Sequence, residues 1–158
     1  DRIDRRLAMH RTGKRQVVVV MRERNGQTMP FVAKSEAASC GRIAGTVREG
    51  STVYADEASS WDALEERFLT KRINHSEAYA VDDCCTNMAE SFFSRLRRAE
   101  IGIHHHIAGP YLAAYAGEMS WREDRRRQSN GTQFLAAIGA TIGRPVSRQW
   151  KGYWQRTT

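Results

Sequence analysis

Hydrophobic and polar positions follow the pattern of a β-hairpin in residues 16–34, QVVVVMRERNGQTMPFVAK. A β-branched run leads into the pair Asn25-Gly26, and a second apolar run follows it. An Asn-Gly pair between two such runs is a strong short-range signal for two antiparallel strands joined by a turn. The pattern therefore predicts strands over 16–23 and 28–33.

Shorter elements of both kinds follow the hairpin. The pattern predicts a helix over 35–50, a strand over 51–57, a helix over 59–68 and a strand over 71–76. Ser35 is suited to cap the first helix, and Ser59 or Ser60 the second, because a serine hydroxyl accepts a hydrogen bond from an N–H of the first turn. The first of the two strands, STVYADE, ends in the acids Asp56 and Glu57.

Two longer amphipathic helices complete the pattern. The first covers about 87–99, and the second starts at Gly109-Pro110, since proline is favoured at the first helical position. A polar loop that contains Asp82 and Asp83 precedes them. The order of hairpin, helix, strand, helix, strand and then helices is typical of an α/β or α+β domain.

The helix over 87–99 has one polar face. At about 100° per residue, Asn87, Glu90, Ser94 and Arg97 lie on the side opposite the large apolar residues. Two interpretations are open at this point. Asn87 and Glu90 fit a capping box, with Asn87 at the N-cap and Glu90 three residues later; alternatively, the polar face lines a functional site.

Charge is distributed unevenly along the chain, which has 158 residues and a formal net charge of +7. Residues 87–158 contain 11 of the 25 Lys and Arg residues but only 5 of the 18 Asp and Glu residues. Such an excess is expected of a polyanion binder, because each Lys or Arg that neutralises a phosphate releases counterions. A basic surface that serves only solubility is the alternative.

The cysteines and the apolar runs exclude several classes of protein. The three cysteines, Cys40 and the adjacent pair Cys84-Cys85, form neither a disulfide framework nor a CxxC zinc motif. No run approaches the roughly 18 apolar residues of a membrane span, and the start DRIDRRLAMH lacks the apolar core of a signal peptide. We therefore expect a cytoplasmic protein with reduced thiols and no membrane association.

Three stretches together resemble a known family. The succession GSTVYADEASSW, RINHSEAY and CTNMAESFFSRLRRAEIGIHHHIAGPYLAAYAGEMSWRED resembles the catalytic domain of DDE-type bacterial insertion-sequence transposases of the ISXO2-like group. The resemblance implies an α/β, RNase H-like fold, in which helices flank a mixed sheet, over residues 16–130. Residues 1–15 are then a basic connecting segment and residues 131–158 a basic, aromatic C-terminal tail.

The resemblance also implies site residues. Asp56 corresponds to the second catalytic acid and Glu90 to the third, with Asn87 as the rival for the third position; the acids are expected to bind Mg²⁺ or Mn²⁺. Arg97 corresponds to a basic residue two turns further on, where lysine is commoner. Further DNA contacts are predicted for His75, Arg98, His104, His105, Arg122, Arg125 and Arg126.

The three consecutive histidines, 104–106, have other interpretations. Consecutive histidines in a loop rarely point at one centre, so a transition-metal site is less favoured than contacts with phosphates or bases, or packing at a helix junction.

The expected chemistry explains the residue types. DNA strand cleavage and transfer are in-line displacements, in which divalent cations activate the attacking oxygen and stabilise the leaving one. Mg²⁺ prefers oxygen ligands and keeps several waters, so a few carboxylates suffice. An exposed arginine is suited to a phosphate near the scissile bond.

One departure from the family pattern bears on activity. The family carries its first acid on a strand before the hairpin, whereas Asp1 and Asp4 lie in a basic stretch without strand character. We therefore expect an N-terminally truncated transposase domain that acts on insertion-sequence ends and target DNA as a homodimer or higher oligomer. The alternatives are a catalytically dead DNA-binding remnant and an RNase H-like nuclease of another kind.

Overall fold

The computed structural model describes residues 16–73, 86–147 and 150–152 of the chain. Two compact units divide the chain, residues 1–124 and residues 125–158. The predicted connecting segment 1–15, the end of the predicted strand over 71–76, and the polar loop at Asp82 and Asp83 lie outside the described residues.

The hairpin forms as predicted. Strand β1, Val17–Arg22, pairs antiparallel with strand β2, Thr28–Ala33. Asn25 adopts a left-handed conformation with φ of 57°, and the N–H of Gly26 donates to the carbonyl of Glu23 at 3.2 Å. A Cβ at Gly26 would lie 2.1 Å from Glu23 Oε2, so a larger residue there would displace that side chain. The Asn-Gly pair therefore provides both the backbone conformation and the space that the turn needs.

The predicted helix over 35–50 is shorter in the structure. A 3₁₀ turn, Ala37–Ser39, leads into helix α1, Cys40–Thr46. The N-cap residue of the turn is Glu36, one residue after the predicted Ser35, but the Ser35 Oγ still accepts from the Ala38 N–H at 3.1 Å. Val47 is already extended, which ends the helix before the predicted Gly50. Gly45 and the β-branched Thr46 lower the helix propensity just before this point.

A parallel strand pair follows α1. Strand β3, Thr52–Asp56, pairs with strand β4, Leu69–Ile73, and the register places Asp56 opposite Ile73. The connection contains a 3₁₀ helix, Ser59–Leu64. The prediction of an α-helix over 59–68 is wrong, and so is its serine cap, since Ala58 is the N-cap residue and no side chain fills that role.

The hairpin, α1 and the crossover between β3 and β4 share one hydrophobic core. Its fully buried members are Val19, Phe31, Cys40, Ile43, Leu64 and Phe68. Burial raises the pKa of the Cys40 thiol, which donates to the carbonyl of Ser60 at 3.2 Å.

The order of strands and helices confirms the predicted α/β class. The described strands form two separate two-stranded sheets, whereas a single mixed sheet was expected.

The two long helices form where they were predicted. Helix α2, Asn87–Ala99, buries Phe92, Leu96 and Ala99 and contacts β1. A π-helix, Glu100–His104, continues it and ends at His105, whose φ is 56°. Helix α3, Leu112–Arg125, starts from a 3₁₀ turn that contains Pro110.

A buried ionic network links the hairpin to α2 and α3. Glu123 of α3 pairs with Arg22 of β1 at 3.3 Å and with Arg95 of α2. Asp124 accepts hydrogen bonds from the N–H (3.1 Å) and the hydroxyl (2.6 Å) of Thr28. The Glu123 side chain is only 5% exposed, so its two arginine partners neutralise a charge that is withdrawn from water.

The second unit contains a helix within the predicted C-terminal tail, residues 131–158. Helix α4, Asn130–Thr141, begins after Ser129, whose hydroxyl accepts from the Thr132 N–H at 3.2 Å. None of the described helices is long and apolar enough to span a membrane.

Candidate active site

Asp56 stands at the carboxyl end of β3 and is exposed. Its Oδ1 accepts a hydrogen bond from Trp61 Nε1 at 2.7 Å and another from the Ala58 N–H at 3.2 Å. The two donors fix the orientation of the carboxylate. The carboxyl ends of parallel strands are where α/β proteins commonly bind ligands, so the location suits a metal-binding acid.

The segment that carries Trp61 is braced by Arg72 of β4. The guanidinium donates to the carbonyl of Ala58 at 2.7 Å, to Asp62 Oδ1 at 2.7 Å and to Glu65 Oε1 at 2.8 Å. Burial lowers the pKa of Arg72, but the hydrogen bonds and charges of Glu65 and Asp62 outweigh it, so the pKa is raised overall. Arg72 therefore holds in place the turn that orients Asp56.

Sequence reasoning missed both supporting residues. The Trp61 ring also packs against the core. The sequence signal for this hydrogen bond was the spacing of Asp56 and Trp61, which lie five residues apart across a tight crossover. An α-helical interpretation of residues 59–68 concealed it, because a 3₁₀ helix orients the indole differently.

The polar face of α2 is exposed as predicted. Asn87, Glu90, Ser94 and Arg97 are all exposed, while Phe92 on the opposite side is buried. Asn87 and Glu90 are one turn apart, and Arg97 follows about two turns after Glu90. The face therefore presents a carboxylate, an amide and a guanidinium in a row.

The capping-box interpretation of Asn87 and Glu90 is wrong. Thr86 is the N-cap residue, and its carbonyl accepts from the N–H groups of Ala89 at 2.9 Å and Glu90 at 3.0 Å. Asn87 is therefore the first helical residue and Glu90 the fourth, one position too late for the reciprocal bonds of a capping box. Within the described residues, the Thr86 side chain forms no capping hydrogen bond with the first turn of α2.

The histidines are placed differently from one another. The half-buried ring of His104 packs against Tyr115, with 4.3 Å between ring centroids and the ring planes tilted by 53°, which agrees with packing at the helix junction. His105 and His106 are exposed. In the part of the chain that the structure describes, no group of three or more His, Cys, Asp or Glu side chains is arranged to hold a metal ion. His75 lies outside the described residues.

The predicted DNA-binding arginines are mostly accessible. Arg97 and Arg98 are exposed in the last turn of α2. Arg122 is exposed but pairs with Glu118 at 2.8 Å, one turn earlier in α3. In the second unit, Arg125 is half-buried and Arg126 is exposed.

Two of the sequence stretches that resemble transposase domains thus supply an exposed, oriented aspartate after a parallel strand and a helix that exposes Asn-x-x-Glu and arginine. Residues 1–124 match the family model of the ISXO2-like transposase domain, and the chain therefore belongs to that family. The family implies a function in DNA transposition, with DNA as the partner of a nucleic-acid-processing enzyme. No curated protein and no solved structure matches the chain.

Proposed function

We propose that this chain is the metal-dependent catalytic domain of the transposase, which cleaves and transfers DNA strands at insertion-sequence ends. The observation that carries the proposal is Asp56, whose carboxylate is oriented by Trp61 and Ala58 at the carboxyl end of β3. Carboxylates that bind metals are commonly held by such outer hydrogen bonds. An RNase H-like arrangement of strands is part of the proposal.

Asp56 and Glu90 are the proposed metal ligands, and Mg²⁺ or Mn²⁺ the proposed ion. Both side chains are exposed and offer oxygen atoms, the ligand type that these cations prefer. Oδ1 of Asp56 is already occupied by two donors, which leaves Oδ2 for a cation. The bound cation supplies the Lewis acidity that activates the attacking oxygen and stabilises the leaving one.

Asn87 has a supporting role in this proposal. It occupies the first turn of α2 on the same exposed face as Glu90, where its amide can hydrogen-bond either the Glu90 carboxylate or DNA. Asn87 remains the rival ligand that the experiment below distinguishes.

Arg97 and Arg98 are proposed to hold the DNA backbone. They lie in the last turn of the helix that begins with Asn87, and both are exposed. Arginine contacts with phosphates position a duplex without reading its sequence. The further proposed contacts are His75, His105, Arg122, Arg125 and Arg126. The packing of His104 against Tyr115 favours a structural role for that ring.

The experiment compares Mn²⁺ binding and DNA cleavage in Asp56→Asn, Glu90→Gln and Asn87→Ala. Mn²⁺ affinity is measured by calorimetry on the purified chain, and cleavage on labelled duplexes that contain the insertion-sequence end. If Asp56 and Glu90 bind the same ion, each substitution lowers the affinity at least tenfold, and the double variant loses little more than either single one, because both remove the same site.

Glu57→Gln is the matched control, since it neutralises the exposed acid next to Asp56 and leaves Asp56 in place. We expect it to bind Mn²⁺ like the wild type. Equal losses in Glu57→Gln and Asp56→Asn would contradict the ligand assignment. A loss in Asn87→Ala without one in Glu90→Gln would make Asn87 the ligand, and DNA binding without Mn²⁺ binding or cleavage would favour the non-catalytic alternative.

A further inference from the structure

Ile101 extends the exposed face of α2 that carries Glu90 and Arg97. At about 100° per residue through α2 and about 80° in the π-helix, Ile101 lies within about 20° of Glu90 and in line with Arg97. All three residues are exposed, and Ile101 is 74% exposed. The face that presents an acid and an arginine therefore ends in a large apolar side chain.

Ile103 has the same exposure but a different direction. It is 72% exposed and lies two residues further along the π-helix, about 160° around the axis from Ile101. Ile103 therefore does not share the face of Glu90 and Arg97. The π-helix thus offers two isoleucines that differ mainly in the side to which they point.

The backbone around Ile101 is irregular. Residues 100–104 form a π-helix, and His105 ends it with a φ of 56°, a conformation that residues other than glycine rarely adopt. Both irregularities are found most often at functional sites. Outside its own helical turn, no atom of the described residues lies within 4 Å of the position that a Cβ at Gly102 would take. The main chain beside Ile101 is therefore open to a close approach by a ligand.

The charges around Ile101 favour a polyanion as that ligand. Residues 91–106 contain three arginines and three histidines against one acid, Glu100, which is half-buried. The exposed members of this set lie on both sides of Ile101 in the chain: Arg97, Arg98, His105 and His106. Such a surface attracts phosphates, and the apolar side chain within it adds nothing to that attraction. Ile101 is therefore suited to a different part of the nucleic acid.

We propose that Ile101 inserts between neighbouring base pairs of bound DNA. Isoleucine is one of the apolar residues with which proteins open a base step and partly unstack it. Arginine contacts with the flanking phosphates hold the duplex while the side chain enters. The inference rests on the proposed function, because Arg97 and Arg98 are DNA contacts only there.

Insertion of this kind selects DNA by its flexibility. An isoleucine side chain makes no hydrogen bonds, so it cannot read the edges of the bases. TA and CA/TG steps unstack easily, whereas A-tracts are stiff. We therefore expect Ile101 to unstack a duplex with TA steps more than a duplex that consists of an A-tract.

The experiment uses the whole purified chain in EDTA, so metal binding and cleavage do not affect the result. Two duplexes of equal length contain 2-aminopurine, whose fluorescence rises when it loses its stacked neighbours. One duplex has repeated TA steps and the other is an A-tract. The wild type should raise the fluorescence of the first about twofold or more, and that of the second by less. Anisotropy of the same samples gives the affinity, so unstacking is compared at equal occupancy.

The variants separate insertion from phosphate binding. Ile101→Ala should reduce the rise in fluorescence about threefold or more at equal occupancy, and Ile101→Leu should preserve most of it. Ile103→Ala is the matched control, because it removes the same atoms at the same exposure from another side of the π-helix. Ile101→Ala should also weaken binding without changing its salt dependence, since an uncharged residue releases no counterions. Both positions are exposed, so neither alanine variant should lower the melting temperature.

Two results would overturn this inference and leave the proposed function intact. One is duplex binding by the wild type without a rise in fluorescence, and the other is an equal effect of Ile101→Ala and Ile103→Ala. A wild type that binds neither duplex would overturn the inference together with the proposed DNA contacts of Arg97 and Arg98.

Discussion

At the scale of single residues, the proposed active site depends on side chains that orient its acid. Asp56 is held by Trp61, and the turn around Trp61 is held by Arg72. A carboxylate that is already oriented loses less conformational freedom when it binds a cation. The indole is therefore more than core packing: it is the donor that aims the proposed metal ligand.

The substitution Trp61→Phe tests this role. It removes the Nε1–H donor and keeps an aromatic ring against the core, so the expected result is a decrease of about tenfold or more in Mn²⁺ affinity. The free energy of unfolding without metal, measured with urea, should fall by much less than for a truncation to alanine. Calorimetry with Mn²⁺ gives the affinity.

The control for the loss of an indole is Trp121→Phe on α3, since Trp121 does not bond Asp56. An unchanged Mn²⁺ affinity in Trp61→Phe would mean that the hydrogen bond does not support a metal ligand.

At the scale of elements, the sequence predicts correctly those strands and helices whose conformation depends mainly on neighbouring residues. The hairpin could be predicted because Asn25-Gly26 sets the turn, and α2 because Phe92 and Leu96 repeat at helical spacing. The 3₁₀ helix in the crossover after β3 could not be predicted in this way. Its conformation depends on the Ala58 N–H, which donates to the Asp56 side chain, and on Arg72 of β4, which donates to the carbonyl of Ala58. These contacts depend on the pairing of two strands.

Helix α4 was missed for a different physical reason. Phe134, Leu135 and Ile138 lie within a segment that has no charged face to contrast with them, so the periodicity is weak. The cap at Ser129 was the remaining signal. For the candidate site, the sequence and the resemblance located Asp56 and the exposed face of α2, but the donors to Asp56 required the structure.

The ionic network around Glu123 gives a prediction for the packing of these elements. Glu123→Gln removes the charge that neutralises Arg22 and Arg95 and leaves both arginines partly buried. Breaking a buried pair from one side is costly, so we expect the free energy of unfolding to fall by about 2–4 kcal/mol. Urea denaturation measures the change.

The same helix offers a matched control for this prediction. Glu118→Gln breaks an exposed pair with Arg122, whose side chains are 44% and 64% accessible. Such i,i+4 pairs contribute about 0.3–0.5 kcal/mol, so the control should be nearly neutral. Similar effects of the two substitutions would mean that the network does not hold α2 and α3 in place.

At the scale of the whole molecule, the charge distribution predicts how DNA is bound. The net charge is +7, with the excess after residue 86. Binding to duplex DNA should weaken steeply with salt, because phosphate contacts release counterions. Fluorescence anisotropy at a series of salt concentrations measures the slope.

Each arginine that contacts a phosphate should contribute about one unit to that slope. Arg97→Gln/Arg98→Gln should lower the slope by about two and weaken binding to all sequences alike, since phosphate contacts carry no sequence information. Arg48→Gln/Arg67→Gln is the control, because it removes two exposed arginines from the part of the chain whose charge is nearly balanced. An equal effect of the two pairs would indicate a diffuse attraction without a defined DNA surface.

The register of β3 and β4 limits which insertions and deletions are compatible with the position of Asp56. Along β3, Ala55 is buried while its neighbour Asp56 is exposed, and Asp56 is aligned with Ile73, which is 1% exposed. Because successive side chains point to opposite faces of a strand, inserting or deleting a single residue before Asp56 would exchange the two positions. Substitutions at Val53 or Tyr54 leave this alternation intact. The position of Asp56 therefore depends more on the number of residues in β3 than on the identity of most of them.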